Sequence, residues 1–469
     1  MTSLDDLIPE LQALIDTERE EQLIPAVVLA VSRGDETIEL ASGVLNLDTG
    51  VEATADSLFQ LGSITKPYTA TLVMQLVDEG LVDLDAPVVR YVPEFAVSDE
   101  AATQTITVRQ LLCHTGGFDG DVFDDFGRGD DAVARYVEAL AGRNQLFPPG
   151  ALFSYCNAGY SVLGRLVERV RDLPSWHVAL RRHLLEPLGL THTVSLPEEA
   201  LLRRTAVGHM PDPDAAEDDK TQHVTKVWHL PMSTAPVGAT LSASARDAVA
   251  FARMHMREGL APDGTRVLSA ESVAEMVREQ VTLPALDDRP PNGWGLGWRT
   301  FSYAGPHKVF GHEGDTIGQS ALLRYVPDLD LAFAVLTNGG DPYKLLFEAA
   351  ALLLGRLADA EVPRPPQPPQ TPVEIDHRRF LGRYETVAGF FEIGEAEDGG
   401  LEVRTGNLGP LAEQFGEDLR TRRLVGFSPT VLIVAEPEGG LYQRFSFPEV
   451  DDEGRASYLG AGVRVALRA

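Results

Sequence analysis

Phe59-Gln60-Leu61-Gly62-Ser63-Ile64-Thr65-Lys66 is the stretch on which the fold turns, because a loop here runs into a helix with a serine one helical turn ahead of a lysine. At that spacing the Ser63 hydroxyl and the Lys66 amine share a face and come within reach of each other. A serine hydroxyl is a poor nucleophile until a base takes its proton, and an unprotonated lysine can be that base. Lys66 is the only lysine before Lys220 in a chain with five lysines, which otherwise carries its positive charge on arginine. Arginine keeps its proton and could not do this work. Leu72, Val73, Leu76 and Val77 follow at helical spacing and Gly80 closes the helix. Pro67 falls in the first turn, where backbone N–H groups have no intrahelical acceptor. Taken alone, the spacing also fits a helix-capping serine followed by a surface lysine.

The surrounding composition narrows the class. Of 469 residues, 70 are Asp or Glu and 40 are Lys or Arg, for a net charge of −30. Such a chain repels nucleic acid and anionic membranes, so neither is expected as a partner. No stretch approaches the roughly 20 apolar residues of a membrane span. Residues 1–6 carry neither the basic region nor the apolar run of a signal peptide and lead into an amphipathic helix through about Glu21, so the expected location is cytoplasmic. Two cysteines, Cys113 and Cys156, give no disulfide framework. The histidines show no paired ligand spacing, so no metal and no cofactor is expected.

Working outward from Ser63, residues 26–32 read as a buried strand with residues 37–41 as its hairpin partner across Arg33-Gly34-Asp35-Glu36. Helices and loops fill about 100–234, and strand-like runs return at 321–325 and 331–336 before a long apolar helix around 343–358. Strands at both ends with helices between them predict an α/β sheet domain over 1–362 carrying an all-α insertion at about 100–234, an α+β architecture. Pro363-Arg364-Pro365-Pro366-Gln367-Pro368-Pro369-Gln370-Thr371-Pro372 reads as a stiff extended linker spanning 363–373. Beyond it, over 374–469, short strand-like runs separated by Gly, Asp and Glu turns predict a small antiparallel β-barrel or sandwich.

Three further segments keep company with Ser63 and Lys66. Tyr155-Cys156-Asn157 sits in a turn before an apolar helix, Gly311-His312-Glu313-Gly314-Asp315 precedes a strand pair, and Leu112-Cys113-His114-Thr115-Gly116-Gly117 lies between Ser63 and Tyr155. With Gly80-Leu81-Val82-Asp83-Leu84-Asp85-Ala86-Pro87, Glu186-Pro187-Leu188-Gly189-Leu190 and Gly293-Trp294-Gly295-Leu296-Gly297-Trp298 in the same order, the chain over about 10–360 resembles the serine β-lactamase and penicillin-binding-protein superfamily, in its class C-like, D-aminopeptidase and esterase branch. The segment after the linker resembles the lipocalin-like barrels appended to some of these hydrolases. There, such a domain can project a loop toward the cleft or build an oligomer interface. Gly389-Phe390-Phe391 and the turn at Asp398-Gly399-Gly400 are the candidate loops here, and a homo-oligomer is left open.

The resemblance implies an acyl-enzyme on Ser63 with Lys66 as base. It implies that Tyr155 shares the proton traffic and delivers a proton to the leaving group. Asn157 would orient Lys66 and meet the acyl-side carbonyl, and His312 stands where β-lactamases usually carry lysine. The N–H groups of Ser63 and Asp315 would form the oxyanion hole, with Gly314 admitting the substrate backbone. His114 reads as a structural residue of its loop. Where relatives place hydroxyl residues that bind a substrate carboxylate, this chain has Glu313 and Asp315, which alternate along a strand and so share one side. Two acids facing the cleft would repel a carboxylate. The expectation is therefore a serine hydrolase of D-aminopeptidase type acting on small amine-bearing peptides or amides, with weak β-lactamase activity. A carboxylesterase is the alternative within the fold. A non-catalytic peptide-binding or scaffold relative is the alternative outside enzymology.

Overall fold

The apolar run after the first helix becomes the centre of a sheet because it is buried on both faces. β1 (Ala26–Arg33) pairs antiparallel with β2 (Glu36–Asn46) on one side and with a distant strand, Leu331–Thr337, on the other. Among the described residues the sheet has nine strands: β1, β2, β3 (Val51–Glu52), β4 (Val281–Thr282), β5 (Gly293–Trp294), β6 (Arg299–Phe301), β7 (Val309–Thr316), β8 (Gln319–Val326) and β9 (Leu331–Thr337). Their spatial order is β3-β2-β1-β9-β8-β7-β6-β5-β4. The computed structural model describes residues 3–212, 219–283, 291–409, 412–413, 416–437 and 441–469.

Alternation along the strands divides the core in two. Val27, Leu29, Val31, Leu322, Phe333 and Val335 point to one face, where α1 (Ile8–Glu21) and α5 (Tyr343–Ala358) cover them with Leu11, Ile15, Leu345 and Leu353. Val28, Ala30, Leu323, Tyr325 and Ala334 point to the other face, against α2 (Thr65–Asp78) and α4 (Ala245–Met256). Phe333 is completely buried between sheet and helices. Phe333→Ala is expected to lower unfolding stability by about 3–5 kcal/mol, read as a shift in denaturant midpoint at constant m-value.

The inserted region is mainly helical, as expected, with α3 (Asn157–Arg171) as its longest helix. It differs from an all-α insertion in carrying short strands at Thr193–Val194, His209–Pro211 and Gln222–Val224. Residues 362–376 contain no helix or strand, in keeping with their prolines. The chain then closes an eight-stranded antiparallel barrel: β10 (Gly382–Glu385), β11 (Gly389–Glu395), β12 (Leu401–Asn407), β13 (Arg420–Ser428), β14 (Val431–Val434), β15 (Arg444–Ser446), β16 (Tyr458–Ala461) and β17 (Arg464–Arg468). Phe380, Tyr384, Val403, Leu432, Phe445 and Leu459 fill its interior. Among the described residues, no helix is long and apolar enough to cross a membrane.

Candidate active site

Ser63 lies in a tight turn, Gly62–Ile64, that passes directly into α2. From Thr65 to Leu76 every residue of α2 is buried, so the helix runs through the core and carries Lys66 with it. Gly62 adopts φ +50°, and a Cβ there would meet the Asp315 backbone nitrogen at 2.7 Å. At Gly314 a Cβ would lie 2.0 Å from the Leu61 carbonyl oxygen and 2.9 Å from the Ser63 nitrogen. Two glycines thus allow the serine turn and β7 to touch backbone to backbone. Gly314→Ala is expected to push them apart and lower kcat/KM at least about tenfold, with the amide of Ser63 displaced from the oxyanion position.

Lys66 Nζ stands 2.9 Å from Ser63 Oγ and donates to the Val237 carbonyl at 3.1 Å. Burial drives the amine well below the ordinary lysine range, and the Arg464 guanidinium pushes the same way against the weaker pull of Asp121. When neutral, the Lys66 amine can give one N–H to Val237 and turn its lone pair to the Ser63 hydroxyl. Tyr155 lies beside it, with Lys66 Nζ 4.8 Å from the ring centroid. The Tyr155 hydroxyl is buried and makes no hydrogen bond at full bonding distance. Burial raises it far above the ordinary phenol value, which Ser63 and Arg464 partly offset. It is therefore a protonated phenol at neutral pH.

Around Tyr155 sits an aromatic and imidazole cluster. His114 stacks on it at 4.2 Å, and the Trp294 ring is 5.7 Å away. His312 packs 5.5 Å from Trp294 and 6.2 Å from Tyr155. His312 Nδ1 bonds the Glu313 carbonyl, which can only accept, so its Nε2 is left as the acceptor. Burial and then the nearby Lys66 bring His312 down to about 4, which keeps it neutral. His114 holds φ +60° and accepts the Cys156 N–H on Nδ1 at 3.1 Å. It positions the Tyr155–Asn157 turn from inside the site, a closer role than its loop suggested.

The structure departs from expectation at three of the singled-out residues. Asn157 does not orient Lys66; its Nδ2 donates to Asp121 Oδ1 at 2.7 Å, and the Val237 carbonyl holds the amine instead. Glu313 and Asp315 do share a face of β7, but it is the face away from Ser63. His312 and Gly314 take the catalytic side, and strict alternation sends the two acids the other way. There, Glu313 pairs with Arg324 and with Arg299 at 3.7 Å. Burial works against its charge, but the two arginines outweigh it and hold the carboxyl down to about 2. Asp315 accepts from Ser320 at 2.7 Å on the same outer face, so its part in the site is limited to its backbone. Neither acid therefore points its carboxylate into the cleft, and the charge of Glu313 is balanced by the two arginines.

Three residues at the site carried no role in the sequence reading: Asp121, Trp294 and Arg464. The β16–β17 hairpin of the barrel docks on the Tyr155 turn. Tyr155 N–H donates to the Val463 carbonyl at 2.8 Å, and Val465 N–H to Ser154 Oγ at 3.1 Å. Arg464 forms a two-point pair with Asp121 and lies 5.3 Å over the Tyr155 ring. A chain of contacts thus runs from barrel to nucleophile: Arg464, Asp121, Asn157 and Tyr155, then Lys66. Of the two candidate loops, residues 389–391 border the same interface beside Asp121 and Arg464, while Asp398 pairs with Arg423 within the barrel.

Comparison with known proteins agrees with this geometry. The Beta-lactamase family model matches residues 11–357. Penicillin-binding protein 4 of Amycolatopsis lactamdurans is 45% identical over 385 residues, which cover 81% of this chain and 97% of that protein. The crystal structure of SurE superposes with a TM-score of 0.79 at 28% identity over 100% of both chains; SurE with D-Leu gives 0.73 at 28%, covering 98% and 99%. A D-stereospecific amidohydrolase from Streptomyces sp. matches with a TM-score of 0.56 at 25% identity, over 73% of this chain and 99% of that one.

Proposed function

The chain belongs to the beta-lactamase family and is a serine hydrolase of that fold; on that premise we propose that it draws the acyl group of peptide-like amides onto Ser63, preferring a D-configured residue at the scissile carbonyl. The observation that carries the chemistry is the 2.9 Å approach of a fully buried lysine amine to the Ser63 hydroxyl. As Ser63 Oγ attacks the carbonyl carbon, its proton passes to Lys66 Nζ. The carbonyl oxygen becomes an oxyanion that accepts from the N–H of Ser63, at the start of the helix, and of Asp315. The C–N bond then breaks as the nitrogen receives a proton delivered through the Tyr155 hydroxyl, leaving the ester on Ser63. Water then attacks that ester, giving its proton to Lys66, which passes it to Ser63 Oγ as the acid product leaves and the free serine is restored.

The D preference is supported by the likeness to SurE, solved with D-Leu, and to a D-stereospecific amidohydrolase. The narrower reading, a peptidase for small amine-bearing substrates, loses the support it drew from Glu313 and Asp315, since both face away from Ser63. Paired D- and L-leucine p-nitroanilides, run beside nitrocefin and a short p-nitrophenyl ester, test the reading. A D over L ratio in kcat/KM of at least about ten is expected. Equal rates for the two enantiomers, or nitrocefin turning over fastest, would overturn it.

The same chemistry fixes the sign of the pH response. The base works only as the neutral amine, so kcat/KM falls on the acid side as Lys66 gains its proton. Because burial lowers the Lys66 pKa, that limb is expected well below the ordinary lysine range. A limb at the ordinary lysine value would contradict the role.

A further inference from the structure

A hollow near the site lies between the Asp121 loop and the turn that ends β7. It has a volume of about 920 Å³ and is lined by Trp228, Leu201, Val227, Met232, Ile317 and Phe123, among others. Cavities of about 300–1,000 Å³ house drug-sized ligands. This one therefore exceeds what one amino-acid side chain requires.

Two connections join it to Ser63. Gln60, three residues before the nucleophile, donates from Nε2 to the Trp228 carbonyl and accepts from Thr316 Oγ1 at 3.1 Å. Ile317 follows Thr316 directly, three residues beyond the Gly314 that touches the Ser63 amide. At about 3.3 Å per residue, that is about 10 Å along the strand. β6 pairs with β7 only as far as Gly311, while β8 pairs with it to Thr316. The 312–316 segment thus has a strand neighbour on one edge only among the described residues, and an extended chain can add to the other. Asn157 and Asp121 lead toward Phe123 at the opposite wall. The leaving group belongs beside Tyr155, so the acyl part runs toward this hollow.

The mouth sets exposed apolar side chains beside the charged Asp124, Asp125, Arg128 and Arg203. Leu201 is 85% exposed and Val227 is 47% exposed. A cluster of exposed large apolar side chains at the rim of a cavity is a signature of ligand binding.

We propose that this hollow is an acyl-side subsite that selects extended apolar acyl donors, meaning peptides with two or more bulky apolar residues ahead of the scissile one. The inference rests on the acyl-enzyme reading above. It replaces a small substrate with a long one, and it makes Trp228, Leu201 and Met232 specificity determinants.

The test compares two D-leucine p-nitroanilides, one N-acetylated and one extended by Phe-Leu, on the full chain and on Leu201→Asp, with Leu81→Asp as the control. Leu201 is a surface residue, so its substitution leaves the core intact. The expected result is a kcat/KM at least about tenfold higher for the extended substrate, a ratio that collapses toward one in Leu201→Asp and is kept in Leu81→Asp. Equal kcat/KM for the two lengths overturns the subsite, as does a length preference that survives Leu201→Asp. If neither substrate is cleaved and a fluorophosphonate fails to label Ser63, the acyl-enzyme reading itself has failed, a different outcome from the loss of length preference.

Discussion

Lys66→Met is expected to slow acylation of Ser63 at least about 10³-fold while the chain stays folded. Methionine matches the lysine stem in length and fills the same buried channel without a proton acceptor. The lost interactions are the 2.9 Å approach to Ser63 Oγ and the bond to the Val237 carbonyl at 3.1 Å. Leaving that carbonyl unpaired costs about 1–3 kcal/mol. Removing a buried amine whose charging is opposed by burial offsets part of it. The thermal midpoint is therefore expected to move little. Lys66→Arg is expected to be equally inactive, because a guanidinium does not deprotonate. Rapid-quench measurement of acyl-enzyme formation separates the lost chemistry from weakened binding. Acylation at near-normal rates in Lys66→Met would remove lysine from the role of base.

Arg464→Met is expected to reduce kcat/KM at neutral pH by about 10²-fold although residue 464 lies 343 positions from Asp121 along the chain. The substitution leaves the Asp121 carboxylate, with its side chain only 10% exposed, without its cation, at a cost of about 2–3 kcal/mol. Asn157 then has only an unbalanced acid to hold it, and the Tyr155 turn loses its lid. The electrostatic sign can be checked independently. Arg464 depresses the Lys66 pKa and Asp121 raises it. With the arginine gone, Lys66 protonates more readily and the acid limb of kcat/KM moves to higher pH. In Arg464→Met with Asp121→Asn the limb moves part of the way back and the lost stability returns. A limb that stays fixed in the single variant would show that Arg464 acts only as a structural brace.

What could be read from sequence divides along physical lines. Ser63 and Lys66 are one helical turn apart, so local geometry alone brings them together. Tyr155, Asn157, His312 and Gly314 are singled out by resemblance; Gly314 meets the Ser63 amide and Tyr155 the Lys66 amine, whereas Asn157 bonds Asp121. Period-two alternation correctly put Glu313 and Asp315 on one side of β7 but did not say which side. The glycine between them held the answer: a residue with no side chain marks the face where another backbone approaches, and the Ser63 turn approaches Gly314. The acids had to be on the reverse face, where Arg299 and Arg324 reach Glu313 from the two neighbouring strands. Arg464 and Asp121 were illegible for a similar reason, since their meeting depends on how a barrel docks. The three short strands inside the helical insertion were missed because two or three residues are too few to display a period.

The central claim is that Ser63 becomes acylated because Lys66 is a neutral base held against it. Intact-mass spectrometry with peptide mapping, after reaction with a fluorophosphonate across pH 5–9, tests this most directly. One adduct per chain on the Ser63 peptide is expected, absent in Ser63→Ala and strongly slowed in Lys66→Met, with its rate in the native chain falling toward acid pH. Adduct on another residue, or undiminished labelling of Lys66→Met, would contradict the account.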